Sequence, residues 1–184
     1  MSLTSKRKVE KTLIYMADLS HTGQVVSANV HPLGIGVIAA YALKEHSTSV
    51  EIELFKYPED LAQALENRPP DIMGFANYSW NLNIAYDFAQ RIKLKYPEVV
   101  IVFGGPNYGL TEEELADFWE KHPAIDFYLV REAEVAFAQL ISRLREVNFE
   151  VEAVRRLDNP PANVHYFKNG KLFQGEILPR IKNL

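Results

Sequence analysis

Val99-Val100-Ile101-Val102-Phe103-Gly104-Gly105-Pro106 is a β-branched apolar run that stops at two glycines and a proline. A run of this kind reads as a strand buried on both faces, as found inside parallel sheets. The glycines let the backbone turn, or let a ligand approach, with no Cβ in the way. Open α/β sheets bind ligands at their carboxyl edge, so this glycine-rich end marks the place to look.

Working outward from that strand, apolar runs and helical patterns alternate. Thr12–Ala17 is a first strand, followed by a polar loop from Asp18 to His31. Pro32 opens a helix running to about Glu45, since proline is accepted in a first turn. Val50–Tyr57 is a second strand, and Pro58-Glu59-Asp60 starts a short helix with its acids at the favourable dipole end. Asp71–Ala76 is a third, buried strand. Asn81 is placed to cap a helix from Leu82 to Tyr96, which Pro97 ends. Thr111-Glu112-Glu113-Glu114 is a capping box. Phe127–Val130 is a fifth strand, and a helix from about Ala133 to Val147 carries Phe137, Leu140, Ile141 and Leu144 on one face.

Five such units predict a three-layer, flavodoxin-like (Rossmann-like) α/β domain with a five-stranded parallel sheet in the order 2-1-3-4-5. Val164 to Phe173 reads as a C-terminal β-hairpin appendage, with Asn169-Gly170 supplying a type I′ turn. The expected division is residues 1–150 as the domain and 151–184 as hairpin and linker.

The chain has 184 residues, 47% hydrophobic and 24% charged, an ordinary composition for one packed domain. A net charge of −4 argues against a nucleic-acid partner, which needs a basic face. The absence of cysteine excludes disulfides, thiolate-held metal clusters and a thiol nucleophile within these residues. Leu13 to Ala17 is too short for a signal peptide or a membrane span, so no membrane partner and a cytoplasmic location are expected.

Leu33-Gly34-Ile35-Gly36-Val37-Ile38-Ala39 contains G-x-G-x-x-A. The dinucleotide fingerprint must follow the first strand directly, and here a long loop intervenes, so the glycines read as close packing of helix on sheet. A phosphoacceptor domain of the same strand order needs aspartate, hydroxyl and lysine at the ends of strands three, four and five. This chain offers Asn77, Gly104 and Arg131, which excludes it. His46, His122 and His165 are scattered and expected to face solvent; no catalytic triad and no metal site is legible.

The carboxyl edge gathers Tyr78-Ser79-Trp80 after the third strand, Gly104-Gly105-Pro106-Asn107-Tyr108 after the fourth and Arg131-Glu132 after the fifth. Small residues flanked by aromatics suit a large flat ligand with one narrow part to thread. The same pattern also fits a tight turn with packing aromatics.

Together with Pro32-Leu33-Gly34, these segments resemble the cobalamin-binding domain at the N-terminus of cobalamin-dependent radical S-adenosylmethionine enzymes, in order and spacing, over nearly the whole chain. The resemblance implies a corrin on the carboxyl edge and its nucleotide tail in a groove beside the sheet. Gly104 and Gly105 would then leave the tail its volume, with Pro106 and Asn107 beside them. Ser79 would hydrogen-bond the tail or a corrin amide, and Tyr78, Trp80 and Tyr108 would contact the ring. Backbone near Pro32, Leu33 and Gly34 would meet corrin amides, and the Arg131-Glu132 loop would meet the cofactor. The family's D-x-H-x-x-G appears here as Asp18-Leu19-Ser20-His21-Thr22-Gly23, with the histidine one place late. His21 is therefore not taken as a cobalt ligand, and base-off cobalamin with no protein histidine is expected. Arg131 stands where the family shows glycine. The implied partners are cobalamin and a downstream catalytic domain of the same polypeptide. That domain would carry the iron–sulfur cluster and S-adenosylmethionine, for methyl transfer, rearrangement or cyclisation. Against this stand a flavodoxin-like module binding a flavin or nucleotide, and an interaction domain that lost its ligand.

Overall fold

The computed structural model describes residues 11–20, 31–156 and 160–179. In chain order these form β1 (Thr12–Ala17), α1 (Leu33–His46), β2 (Val50–Phe55), α2 (Pro58–Asn67), β3 (Ile72–Ala76), α3 (Leu82–Lys95), β4 (Val100–Gly104), α4 (Glu112–Lys121), β5 (Phe127–Leu129), α5 (Glu134–Glu146), α6 (Val151–Val154), β6 (Val164–Lys168) and β7 (Lys171–Gln174).

One sheet runs β2-β1-β3-β4-β5-β6-β7. Its first five strands are parallel, in the expected 2-1-3-4-5 order. The expected five-stranded sheet needs correcting to seven strands. The hairpin is a continuation of the sheet, because β6 pairs antiparallel with β5 through Tyr128 opposite His165 and Leu129 opposite Val164. The hairpin turn has Asn169 at φ +51° and Gly170 at φ +74°, the two left-handed residues of a type I′ turn. Residues beyond 150 also enter the core, with Val154, Val164 and Tyr166 fully buried. Pairing β6 to β5 covers an edge that would otherwise expose unpaired backbone.

Strand periodicity divides the core into two layers. Ile72 and Ala76 of β3, with Val100 and Val102 of β4, face α1 and α5. Met73, Phe75, Ile101 and Phe103 face α2, α3 and α4. Because every β3 and β4 side chain meets a helix layer, those strands are apolar without alternation. The capping box of α4 forms as expected, with Thr111 Oγ1 accepting from Glu114 N–H and the Glu114 carboxylate accepting from the Thr111 and Leu110 N–H groups. No helix among the described residues is long and apolar enough to cross a membrane.

Candidate functional site

A groove of about 580 Å³ opens at the carboxyl edge, on the face of the sheet covered by α1 and α5. Its floor is made by Met16, Gly74, Ala76, Val102, Gly104 and Leu129, and Leu33, Gly34 and Val37 of α1 wall one side. Ala133, Glu134 and Phe137 wall the other. The floor is shallow in side-chain volume because Gly74, Ala76 and Gly104 bring three of the smallest residues to one face of two paired strands. The period of two puts them there.

The expected site residues divide cleanly. Leu33, Gly34, Tyr78, Gly104, Gly105, Pro106, Arg131 and Glu132 line the groove. Pro32, Ser79, Trp80, Asn107 and Tyr108 do not. Trp80 stands at the edge, 58% exposed. It stacks on Tyr78 with centroids 4.5 Å apart and planes 5° from parallel. Ser79 is exposed beside it. The floor residues Met16, Gly74, Ala76, Val102 and Leu129 escaped the sequence reading. Counting by twos from Gly104 along β4 and across to β3 would have found most of them.

Tyr108 is the clearest departure from expectation as a ring contact. Its ring stacks on Tyr128 at 3.8 Å, on the α4 side of the sheet. The Trp119 Nε1–H donates to its hydroxyl at 2.7 Å, and the hydroxyl lies 3.2 Å from His165 Nδ1. Indole can only donate, so the Tyr108 oxygen accepts from Trp119 and shares a second hydrogen bond with the His165 imidazole. Burial pushes the pKa values of Tyr108 and Tyr128 up and lowers that of His165 to about 4. His165 is 6% exposed, not solvent-facing as expected. His122 and His46 are likewise held, through contacts with the carbonyls of Phe118 and Ala138.

The two glycines have different reasons. At Gly105 a Cβ would sit 2.5 Å from the Asn77 carbonyl oxygen, and φ is +136°. The chain's own backbone requires glycine there, so the expected ligand-volume reason does not hold for Gly105. At Gly104 a Cβ would meet Leu129 at an ordinary 3.4 Å. Space beyond that first carbon belongs to the groove, so Gly104 is the residue whose smallness leaves room.

Asn77, fully buried, locks this corner. Its amide nitrogen donates to the Asn107 carbonyl at 2.6 Å and to the Tyr128 hydroxyl at 3.0 Å, and its Oδ1 accepts from Asn107 Nδ2 at 3.0 Å. Tyr128 passes a hydrogen to the Gly105 carbonyl at 2.8 Å. On the neighbouring loop, Asn81 sits at the start of α3, but its side chain does not cap that helix. Its Oδ1 accepts from Tyr78 N–H at 2.8 Å and its Nδ2 donates to Asp18 at 3.0 Å. Burial raises the Asp18 pKa, against the Asn81 bond. These bonds fix the rim on which Tyr78 and Trp80 stand.

The groove offers mainly apolar surface, with polar groups concentrated at its mouth. Glu134 Oε2 is buried with no hydrogen-bond partner among the described residues, an acceptor awaiting a donor. No group of three metal-ligating side chains occurs among the described residues. His21 lies outside them.

A family model described as "B12 binding domain" matches residues 21–141. The cobalamin-dependent radical SAM methyltransferase TokK of Streptomyces tokunonensis is 29% identical over 116 residues, covering 60% of this chain and 16% of that protein. An uncharacterized methyltransferase of Pyrococcus horikoshii is 27% identical over 180 residues, covering 96% of this chain and 37% of that protein. Among solved structures, the cobalamin-dependent S-adenosylmethionine radical enzyme OxsB, with aqua-cobalamin and S-adenosylmethionine bound, superposes with a TM-score of 0.68 at 16% identity. That match covers 94% of this chain and 23% of OxsB, and it shows a shared fold. The chain thus spans well under half the length of each of these relatives.

Proposed function

Since the chain belongs to the B12-binding domain family, we propose that its groove takes the nucleotide tail of a cobalamin while the corrin lies over the strand ends. The observation that carries this reading is the floor of Gly74, Ala76 and Gly104 beneath an apolar groove of about 580 Å³ at the carboxyl edge. A heteroaromatic base fits that volume and lining. The corrin is too broad for it and stays outside.

In this arrangement the residues divide the work. Met16, Val102, Leu129 and Phe137 exclude water from the base. Tyr78 and Trp80, already stacked, offer an apolar platform at the rim. Glu134 offers its unpartnered oxygen to a hydrogen-bond donor of the cofactor. With the base held in the groove it cannot also coordinate cobalt, so the bound form is base-off. Among the described residues the groove lining contains no histidine to replace it. When bound, the cofactor supplies a methyl group or a nucleophilic metal to chemistry in a further domain, which we propose to be a radical S-adenosylmethionine domain of the same polypeptide.

Equilibrium binding of hydroxocobalamin tests the reading. Gly104→Leu fills the groove from its floor and is expected to weaken binding tenfold or more, since forcing atoms into occupied space typically costs about 1–3 kcal/mol. Gly104→Ala, which makes only an ordinary contact with Leu129, keeps binding within about threefold. Unchanged affinity in a folded Gly104→Leu protein places the tail elsewhere.

A further inference from the structure

Arg131 is the only cation in the groove lining among the described residues. It is exposed, so its guanidinium belongs to the mouth, not the floor. No hydrogen bond or ion pair holds it among the described residues. The carboxylates facing the same space are Glu132 and Glu134. Glu132 has an interaction partner of its own, and one oxygen of Glu134 is buried.

The backbone adds a second observation. Arg131 has φ +58°, in the left-handed region where glycine is relaxed and arginine is strained. The loop geometry alone would favour glycine at 131. The residue also stands on the wall shared with a second hollow of about 430 Å³, lined by Leu110, His165 and Ile177. The strained, unpaired cation is thus held at the junction between the groove and the open edge of the sheet.

Resting on the proposed cobalamin reading, we infer that Arg131 binds the phosphodiester of the cofactor's nucleotide tail. With the base in the groove and the corrin outside, the phosphodiester linking them must cross the mouth. Without Arg131 the charged side chains at that mouth are carboxylates, which repel a phosphate. With it, a guanidinium can donate two parallel hydrogen bonds to the phosphate oxygens. Arg131 thereby selects corrinoids that carry the phosphate over those that lack it.

Three corrinoids test this: cobinamide, which has neither phosphate nor base; cobinamide phosphate, which has no base; and hydroxocobalamin. Arg131→Gln removes the charge and keeps a polar, hydrogen-bonding end on a shorter side chain, and Arg131→Gly relaxes the backbone as well. Both are expected to bind hydroxocobalamin and cobinamide phosphate about tenfold more weakly than the unaltered protein, and cobinamide equally well. The difference should shrink as salt rises, because an exposed ion pair is screened. Equal losses for all three corrinoids, or no loss for any, overturn the assignment of Arg131 while cobalamin binding stands. If the unaltered protein binds none of the three, the cobalamin reading and this inference fall together.

Discussion

At Gly105 the backbone turns with φ +136° while the Asn77 carbonyl closes the space a Cβ would need. Gly105→Ala is expected to destabilise the fold by about 2 kcal/mol or more, as strained backbone plus a clash with main-chain atoms requires. Gly104→Ala should change stability by less than about 1 kcal/mol. Urea denaturation of both variants checks the contrast, and equal effects would contradict the different reasons given for two adjacent glycines. His165 carries a pH prediction. Its folded pKa is lowered by burial to about 4 from 6.5. The unfolded chain therefore takes up a proton before the folded one, so the stability contribution is full above pH 6.5 and is lost as pH falls towards 4. The loss approaches about 3 kcal/mol. Denaturation midpoints at pH 7.5 and 4.5 should drop further for the unaltered protein than for His165→Gln. Sequence placed this histidine in solvent because nothing local shows that Tyr108, from the loop after β4, reaches it while Trp119 of α4 holds the Tyr108 hydroxyl.

At the scale of elements, the parallel strands, the capping box and the type I′ turn were legible because each is set by a few neighbouring residues. Thr111→Ala removes the cap of α4 and is expected to cost about 1 kcal/mol, measurable by thermal unfolding. A cost near zero would mean that packing of Phe118 and Trp119 alone holds the helix. The pairing of β6 with β5 was not legible. Hairpin signals are local, whereas the partner of a hairpin's outer edge depends on which sheet edge remains unfilled. The groove was half legible for a similar reason. Its mouth follows recognisable loop motifs after β3, β4 and β5. Its floor arises only when Gly74 of β3 falls into register with Val102 of β4, and Ala76 with Gly104.

For the whole molecule, the sheet presents two edges of opposite character. The amino-terminal ends of β4 and β5 are tied by Asp126, which accepts from Ile101 N–H at 2.7 Å and lies 2.6 Å from Lys93 Nζ. The carboxyl edge instead gathers glycines, an apolar groove and an arginine with no partner among the described residues. The division suits a carrier that is rigid at one end and receptive at the other. Electron paramagnetic resonance of the protein loaded with cobalamin in its Co(II) state tests the central claim most directly. A tail base drawn into the groove leaves cobalt without a nitrogen ligand, so the spectrum should lack nitrogen superhyperfine splitting. Nitrogen triplets on the cobalt lines would show that a nitrogen ligand remains on the metal, and would contradict the account.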